Sequence, residues 1–187
     1  MKILGGEWRG RSLTQPKTNT VRPLSDKLRA AIFDITGPLS GATVLDVYAG
    51  SGAAGLEALS RGALMVEAIE ANTAVCKVIQ TNANDLGADF TSLLHQMTVT
   101  TWLAAPHQQP AEPRYDLIIA DPPYTQLEDD ILERLVTFLK PDGMLVVSHG
   151  GKRPSPVLKS GELIRSKVYG DSALSCYEPK APVQQAK

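Results

Sequence analysis

The residues best suited to chemistry are Asp121-Pro122-Pro123-Tyr124, which close the apolar run Leu117-Ile118-Ile119-Ala120. Such a run reads as a strand buried on both faces, of the kind found in parallel sheets. Two consecutive prolines end its ladder, because neither has an N–H to donate. Each also holds the residue before it near extended geometry, so Asp121 and Pro122 form a stiff corner. In open α/β sheets, ligands bind beyond the carboxyl ends of the strands. A rigid carboxylate, a proline carbonyl released from the sheet and an aromatic plane at that place suit a flat ring carrying an amino group. The plainer reading is a strand followed by a proline turn that Asp121 caps.

A second chemically informative stretch runs from Gly41 to Gly62. Its apolar start, Val44-Leu45-Asp46-Val47, leads into the glycine-rich Tyr48-Ala49-Gly50-Ser51-Gly52 and then an alanine-rich helix. Glycines let a ligand approach the backbone, and the start of the helix offers free N–H groups. Gly50-Ser51-Gly52-x-x-Gly55 also matches the turn of nicotinamide- and flavin-binding folds. Further on, Ala63 to Glu70 reads as the next parallel strand. An acid at its carboxyl end can accept hydrogen bonds from both hydroxyls of a ribose. The alternative for Glu70 is an ordinary charge at the start of the following helix.

Two patterns now carry a resemblance. Asp-Pro-Pro-Tyr resembles the catalytic motif of methyltransferases that modify exocyclic amino groups with S-adenosylmethionine. Asp46-x-x-x-Gly50-x-Gly52 resembles the first motif of class I methyltransferases, whose loop cradles the methionine part of that cofactor. Together they favour methyl transfer over hydride transfer.

The elements that must position these residues follow in order. Met1–Leu4 and Glu7–Leu13 are expected to form a small hairpin across Gly5-Gly6, with Trp8 between charged residues and Arg9 and Arg11 on one face. That combination suits RNA, through stacking and phosphate contacts. Ser25 or Asp26 caps a helix whose Leu28, Ala31, Ile32 and Ile35 share a face, with Lys27 and Arg29 on its polar side and Gly37-Pro38 at its end. Residues 71–86 form a helix with Val75, Val78, Ile79 and Ala83 inward and Gly87 as its stop. Residues 90–103 should hold the third strand and the start of a helix, and 104–114 a proline-rich loop. Leu127–Leu139 reads as an amphipathic helix, Lys140–Gly143 as a turn and Met144–Ser148 as the fifth strand. A flexible basic loop with Lys152 and Arg153 follows, then a hairpin of residues 163–169 and 173–177 across Gly170-Asp171. Residues 179–187 read as a disordered tail.

Composition excludes several classes. The 187 residues fit one domain with a small appendage, and 43% hydrophobic with 21% charged is ordinary for a soluble protein. No apolar run reaches membrane-spanning length and no signal-peptide pattern opens the chain, so we expect no membrane association and a cytoplasmic location. Cys76 and Cys176 stand apart and read as reduced, buried thiols. His95, His107 and His149 are scattered, and no metal site is expected. The net charge of −1 conceals an asymmetry: residues 1–35 carry seven basic and three acidic groups, 36–150 five and fourteen, 151–187 seven and three. Two basic ends around an acidic middle are compatible with polyanion binding by the ends.

Five stretches agree in order and spacing with one family. They are Gly5-x-x-Trp8-Arg9-Gly10-Arg11, Arg22-Pro23-x-Ser25-Asp26-Lys27-x-Arg29, the Asp46 to Gly55 loop, Asp121-Pro122-Pro123-Tyr124, and Tyr169-Gly170-Asp171-Ser172-Ala173-Leu174-Ser175. Over residues 1–178 the chain resembles the bacterial 16S ribosomal RNA guanine-N2 methyltransferases, the RsmD family. The resemblance implies an α/β fold: a Rossmann-like seven-stranded class I methyltransferase sheet with helices on both faces. Residues 1–23 would be an RNA-binding extension and 24–178 the methyltransferase domain.

It implies S-adenosylmethionine as cofactor, held by Arg22, Pro23, Asp46, Tyr48, Ala49, Gly50, Ser51, Gly52, Glu70, Ala71, Met97 and Thr98. Asp121, Pro122, Pro123 and Tyr124 would be catalytic. Trp8, Arg9, Arg11, Lys27, Arg29, Lys152 and Arg153 would meet RNA. The partner would be 16S ribosomal RNA in an assembling small subunit, met by a monomer. The family's acidic adenine turn is missing, since His95-Gln96-Met97-Thr98 stands there. Two alternatives stay open: an N6-adenine methyltransferase, and a ribosome-assembly RNA binder with an idle site.

Overall fold

The structure is a computed structural model, and it describes residues 1–16, 24–88, 93–105 and 114–180. The apolar runs form a seven-stranded sheet. Its strands are β1 (Thr43–Val47), β2 (Met65–Glu70), β3 (Leu94–Gln96), β4 (Tyr115–Ala120), β5 (Leu139–Gly150), β6 (Gly161–Tyr169) and β7 (Ser172–Pro179). They lie in the order β3-β2-β1-β4-β5-β7-β6. The first five are parallel, and β7 runs antiparallel between β5 and β6. This is the class I methyltransferase sheet. The chain reverses its lateral direction between β1 and β4, and ligands bind at such switch points.

Helices cover both faces. Those on one side are α1 (Asp26–Thr36), α2 (Ala53–Ser60) and α3 (Thr73–Leu86), whose Ile32, Phe33, Leu56 and Ile79 pack on Ile119, Val146 and Leu174. Across the sheet lie α4 (Val99–Ala104) and α5 (Asp129–Val136), with Trp102, Ile131 and Leu135 against Ile118, Leu145 and Val147. The caps match their sequence signals. The Ser25 hydroxyl accepts from the Leu28 N–H, the Asn72 side chain accepts from Ala74 and Val75, and Gly37 and Gly87 end their helices at positive φ.

Several expectations need correction. The amino-terminal hairpin forms with a longer turn than expected: the Ile3 N–H donates to the Arg11 carbonyl at 3.0 Å, and the Gly10 and Leu13 N–H groups donate to the Ile3 and Met1 carbonyls at 2.9 Å each around the Lys2–Ser12 bridge, while residues 5–10 are bends and turns. Side chains of α2 and α3 draw this segment down. Glu57, fully buried, accepts the N–H groups of Leu4 and Gly5 at 2.7 Å each. Ser60 accepts from Trp8 N–H at 2.9 Å and donates to the Gly5 carbonyl at 2.6 Å, while Asn82 bonds both the N–H and the carbonyl of Thr14. A Cβ on Gly6, at φ 76°, would lie 1.7 Å from the Ser60 carbonyl oxygen, so only glycine fits there.

Arg29 was expected on the polar side of α1 and is instead fully buried. Its guanidinium lies 3.5 Å from Glu57 and 3.1 Å from Asp26 and donates to the Lys2 carbonyl. It joins α1 to α2 and the amino-terminal segment, and it is withdrawn as an RNA contact.

The helix expected over 127–139 is present as the shorter α5, preceded by a 3-10 turn at Tyr124–Gln126, and Leu139 already belongs to β5. The turn expected at Lys140–Gly143 lies within β5. Its residues form an irregularity there: β4 pairs Tyr115 with Leu139 and then Leu117 with Met144, and β7 pairs only from Leu145, so residues 140–143 are in register with neither neighbour and Pro141 has no ladder bond to lose. Pro179 ends β7 and Lys180 bonds the Ser160, Leu158 and Lys159 carbonyls, so these two residues are ordered parts of the sheet edge; 181–187 lie outside the described residues.

Candidate functional site

β4 is flanked by β1 and β5 and ends at Ala120. The half-buried Asp121 still reaches the Val47 carbonyl through its N–H, at 3.5 Å. Pro122 is buried and Pro123 exposed, with φ −53° and ψ 127° at Pro123 turning the chain into the 3-10 helix. The Tyr124 hydroxyl donates to Ser172 Oγ at 2.7 Å and lies 3.3 Å from Ser148 Oγ. Thus the aromatic beyond the proline corner is fixed by hydroxyls at the ends of β5 and β7.

The neighbouring β1 runs into the glycine loop. Tyr48 has φ 62°, unusual for a non-glycine residue and a sign of a backbone held by its surroundings. Gly50 and Gly52 are also left-handed, and a Cβ on Gly52 would meet Ile79 at 3.0 Å. Asp46 Oδ2 accepts the Gly55 N–H at 2.9 Å, and the Asn82 side chain donates to the Ser51 carbonyl at 3.0 Å. Burial pushes the Asp46 carboxyl up from 3.8 to about 7, with Asp121 and Glu70 adding repulsion against the opposing Gly55 bond. Asp46 therefore braces the loop from beneath.

At the end of β2, Glu70 accepts N–H bonds from Gly50 at 3.0 Å and Asn72 at 2.8 Å, one on each carboxylate oxygen. Those bonds lock its orientation, and each oxygen keeps acceptor capacity. Beneath β3, the buried Glu67 accepts from His95 Nε2 at 2.8 Å, Trp102 Nε1 at 3.2 Å and the Tyr115 hydroxyl. His95 thus ties β3 to β2, which places Met97 and Thr98.

These elements enclose one cavity of about 610 Å³. Of the residues singled out from sequence, Tyr48, Glu70, Ala71, Met97 and Thr98 share its wall with Asp121, Pro122, Pro123 and Tyr124. Asp46, Ala49, Gly50, Ser51 and Gly52 are not in the wall and shape the loop behind it. Arg22 and Pro23 lie outside the described residues. Leu24, Ser25 and Leu28 of the α1 region also line the cavity, as do Glu128, Ile131 and Ser172. Sequence reading had given Ser25 only a capping role and Ser172 only a place in a hairpin.

Among the described residues, the lining holds three carboxylates, Glu70, Asp121 and Glu128, and no lysine or arginine. Such a wall suits a cationic ligand with ribose hydroxyls and disfavours phosphate. Burial, with Glu128 second, pushes the Tyr48 phenol up to about 12, so it stays a neutral donor.

Of the groups assigned to RNA, Trp8 is half-buried on the core and Arg9, Lys27 and Lys152 are exposed. The Arg11 guanidinium donates to the Asp85 carbonyl. Arg153 bonds the Leu127 carbonyl and Asp129, both at 3.2 Å, so its loop is tied to the start of α5. Among the described residues, no helix is long and apolar enough to cross a membrane and no cluster of His, Cys, Asp or Glu could hold a metal. Cys76 and Cys176 are free and buried.

Comparison with known proteins agrees with this arrangement. The family model described as conserved hypothetical protein 95 matches residues 1–178. Ribosomal RNA small subunit methyltransferase D of Escherichia coli is 31% identical over 97% of this chain and 91% of its own length. The candidate rRNA methyltransferase YlbH of Bacillus subtilis is 28% identical over 96% of this chain and all of its own. The solved structure of the candidate methyltransferase yhhF of Escherichia coli superposes with a TM-score of 0.83 at 30% identity, covering 97% of this chain and 99% of that one.

Proposed function

The chain belongs to the conserved hypothetical protein 95 (RsmD) family of S-adenosylmethionine-dependent methyltransferases, and from that premise we propose that it methylates the exocyclic N2 amine of a guanine in 16S ribosomal RNA. The observation that carries this reading is the shared cavity, in which the Asp121–Tyr124 corner and Glu70 stand on one wall.

The residues present fit the cofactor. Glu70 is oriented by two backbone N–H groups with acceptor sites left for ribose hydroxyls. Met97 and Thr98 offer an apolar surface and a hydroxyl for the adenine, beside Ala71. The loop from Tyr48 to Gly52 backs the methionine part, next to Leu24 and Ser25, which follow Arg22 and Pro23. Three wall carboxylates favour the positive charge of a sulfonium. When bound, this cofactor supplies an electrophilic methyl group.

The chain's own task is to make a poor nucleophile competent. The lone pair of an aromatic amine is delocalised into its ring. Asp121 and the Pro122 carbonyl each accept one N–H of that amine, which orients it and favours lone-pair density aimed away from the ring. Once the amine is methylated, Asp121 would take its proton or pass it to water. In-line positioning supplies much of the rate. Tyr124, held by Ser172, stacks on the extruded base, because chemistry on a base requires it to leave the helix. Asp121 to Tyr124 are then the catalytic residues, and Trp8, Arg9, Arg11, Lys27 and Lys152 face the RNA. The setting is a monomer acting in the cytoplasm on an assembling small subunit.

The test is methyl transfer from labelled S-adenosylmethionine to 30S particles lacking guanine-N2 methylation, with free 16S RNA alongside, followed by nucleoside analysis. Label in N2-methylguanosine is expected. Label in N6-methyladenosine would keep the mechanism and replace the base, and absence of both transfer and cofactor binding would leave an idle RNA binder.

A further inference from the structure

An acidic cavity that must receive one base of a polyanion raises a problem of charge. Glu70, Asp121 and Glu128 line it, with no cation among the described lining residues, so the phosphates beside the target base are repelled from its interior. They need a cationic seat just outside the mouth.

The edge strand β6 offers one. It pairs only with β7, and from Glu162 to Val168 every residue is exposed. Arg165, Lys167 and Tyr169 stand opposite Cys176, Leu174 and Ser172. Directly opposed residues of antiparallel strands point to the same face. Leu174 and Cys176 belong to the core under α1, so all three side chains lie on the α1 face. Same-face neighbours along a strand are roughly 6.6 Å apart, so the two cations form a short stripe leading to the tyrosine.

The stripe ends at the cavity. Tyr169 is paired with Ser172, which lines the cavity and receives the Tyr124 hydroxyl at 2.7 Å. Lys167 Nζ sits 5.3 Å from the centre of the Tyr169 ring, a cation–aromatic pair of the kind that accommodates a phosphate and a stacked base together. Neither Arg165 nor Lys167 belongs to an ion pair among the described residues. Exposed Lys27 stands two residues past Ser25, which also lines the cavity.

We propose that the α1 face of β6, through Arg165, Lys167 and Tyr169, is the docking surface for the single-stranded RNA segment flanking the target base. The phosphates lie on the two cations, a neighbouring base stacks on Tyr169, and the target base turns past Ser172 into the acidic cavity. This rests on the RNA-methylating reading above. A lysine on an edge strand also guards against strand-to-strand aggregation, but that role requires neither the arginine nor the stacked tyrosine.

The experiment compares wild type with R165Q/K167Q, with Y169A, and with K77Q on α3 at the opposite edge of the sheet. Affinity for a 16S RNA fragment is measured across a salt series, together with KM, kcat and cofactor affinity. Removing two phosphate contacts on a single strand lowers the salt slope by about 1.4. The expected result is that drop in R165Q/K167Q with a raised RNA KM and unchanged kcat and cofactor affinity, a raised KM in Y169A, and no change in K77Q.

An unchanged slope in R165Q/K167Q while wild type still methylates guanine overturns the docking surface and leaves the function standing. An equal loss per charge in K77Q overturns it as well, since the effect would then be general electrostatics. The expected slope drop with label on a base other than guanine upholds the surface and overturns the choice of base. Wild type that binds no RNA overturns both.

Discussion

Replacing Asp46 with asparagine tests how the glycine loop is held. Asp46 is 2% exposed, and its Oδ2 accepts the Gly55 N–H at 2.9 Å. Burial, then the nearby Asp121 and Glu70, raise it from 3.8 to about 7. Between roughly pH 4 and 7 the folded protein therefore holds a proton that the unfolded chain has lost. Stability from this group is complete below about pH 4 and falls as pH rises through 7. About three pKa units at 1.36 kcal/mol each amount to about 4 kcal/mol at the upper limit.

Asparagine has the same shape, cannot ionise, and its Oδ1 can accept the Gly55 N–H. The variant should match wild type below about pH 4, exceed it increasingly between about pH 4 and 7, and keep a constant advantage above that. Urea unfolding at half-unit pH intervals reads this directly. A stability difference that stays constant with pH, or that favours wild type more at high pH, would refute the buried, proton-holding carboxyl. Above about pH 7, where Asp46 ionises, the variant should bind S-adenosylmethionine more weakly relative to S-adenosylhomocysteine, which lacks the sulfonium charge.

Arg29→Met should lower stability by about 1–3 kcal/mol, because it removes one of two guanidinium groups beside the buried Glu57 and leaves Arg61, at 2.9 Å, as the other; chemical denaturation measures it, and no loss would contradict the pairing of α1 with α2. Ser172→Ala removes the acceptor of the Tyr124 hydroxyl. About 1–1.5 kcal/mol of positioning corresponds to roughly a tenfold lower kcat, with cofactor affinity unchanged and recovery in Ser172→Thr. An equal loss in both variants, or none in Ser172→Ala, would remove the positioning role.

The strand ends and their acids were legible in the sequence because local signals determine them. Two prolines must end β4, Gly50 and Gly52 must turn, and Glu70 stands at the limit of an apolar run; each of these fell where the pattern put it. The sheet order followed from the motif resemblance, since periodicity does not specify which strands pair. What stayed hidden depends on partners far along the chain. Arg29 looks like a surface residue of an amphipathic helix until Glu57 is placed beneath it. Glu57, Ser60 and Asn82 carry no local sign that they grip residues 4–14. Ser172 joins the site only once β7 is inserted beside β5, some fifty residues beyond the corner it supports. His95, the departure from the family's acidic turn, found a partner in Glu67, one strand away.

The most direct measurement is single-turnover methyl transfer by Asp121→Ala, made on folded protein whose S-adenosylmethionine affinity is determined in parallel. A rate lower by about 10²–10⁴, as for other positioned acid–base groups, with cofactor affinity kept within a few-fold, is the expected result. A near-normal rate with intact cofactor binding would contradict the claim that the carboxylate at the end of β4 orients the amine.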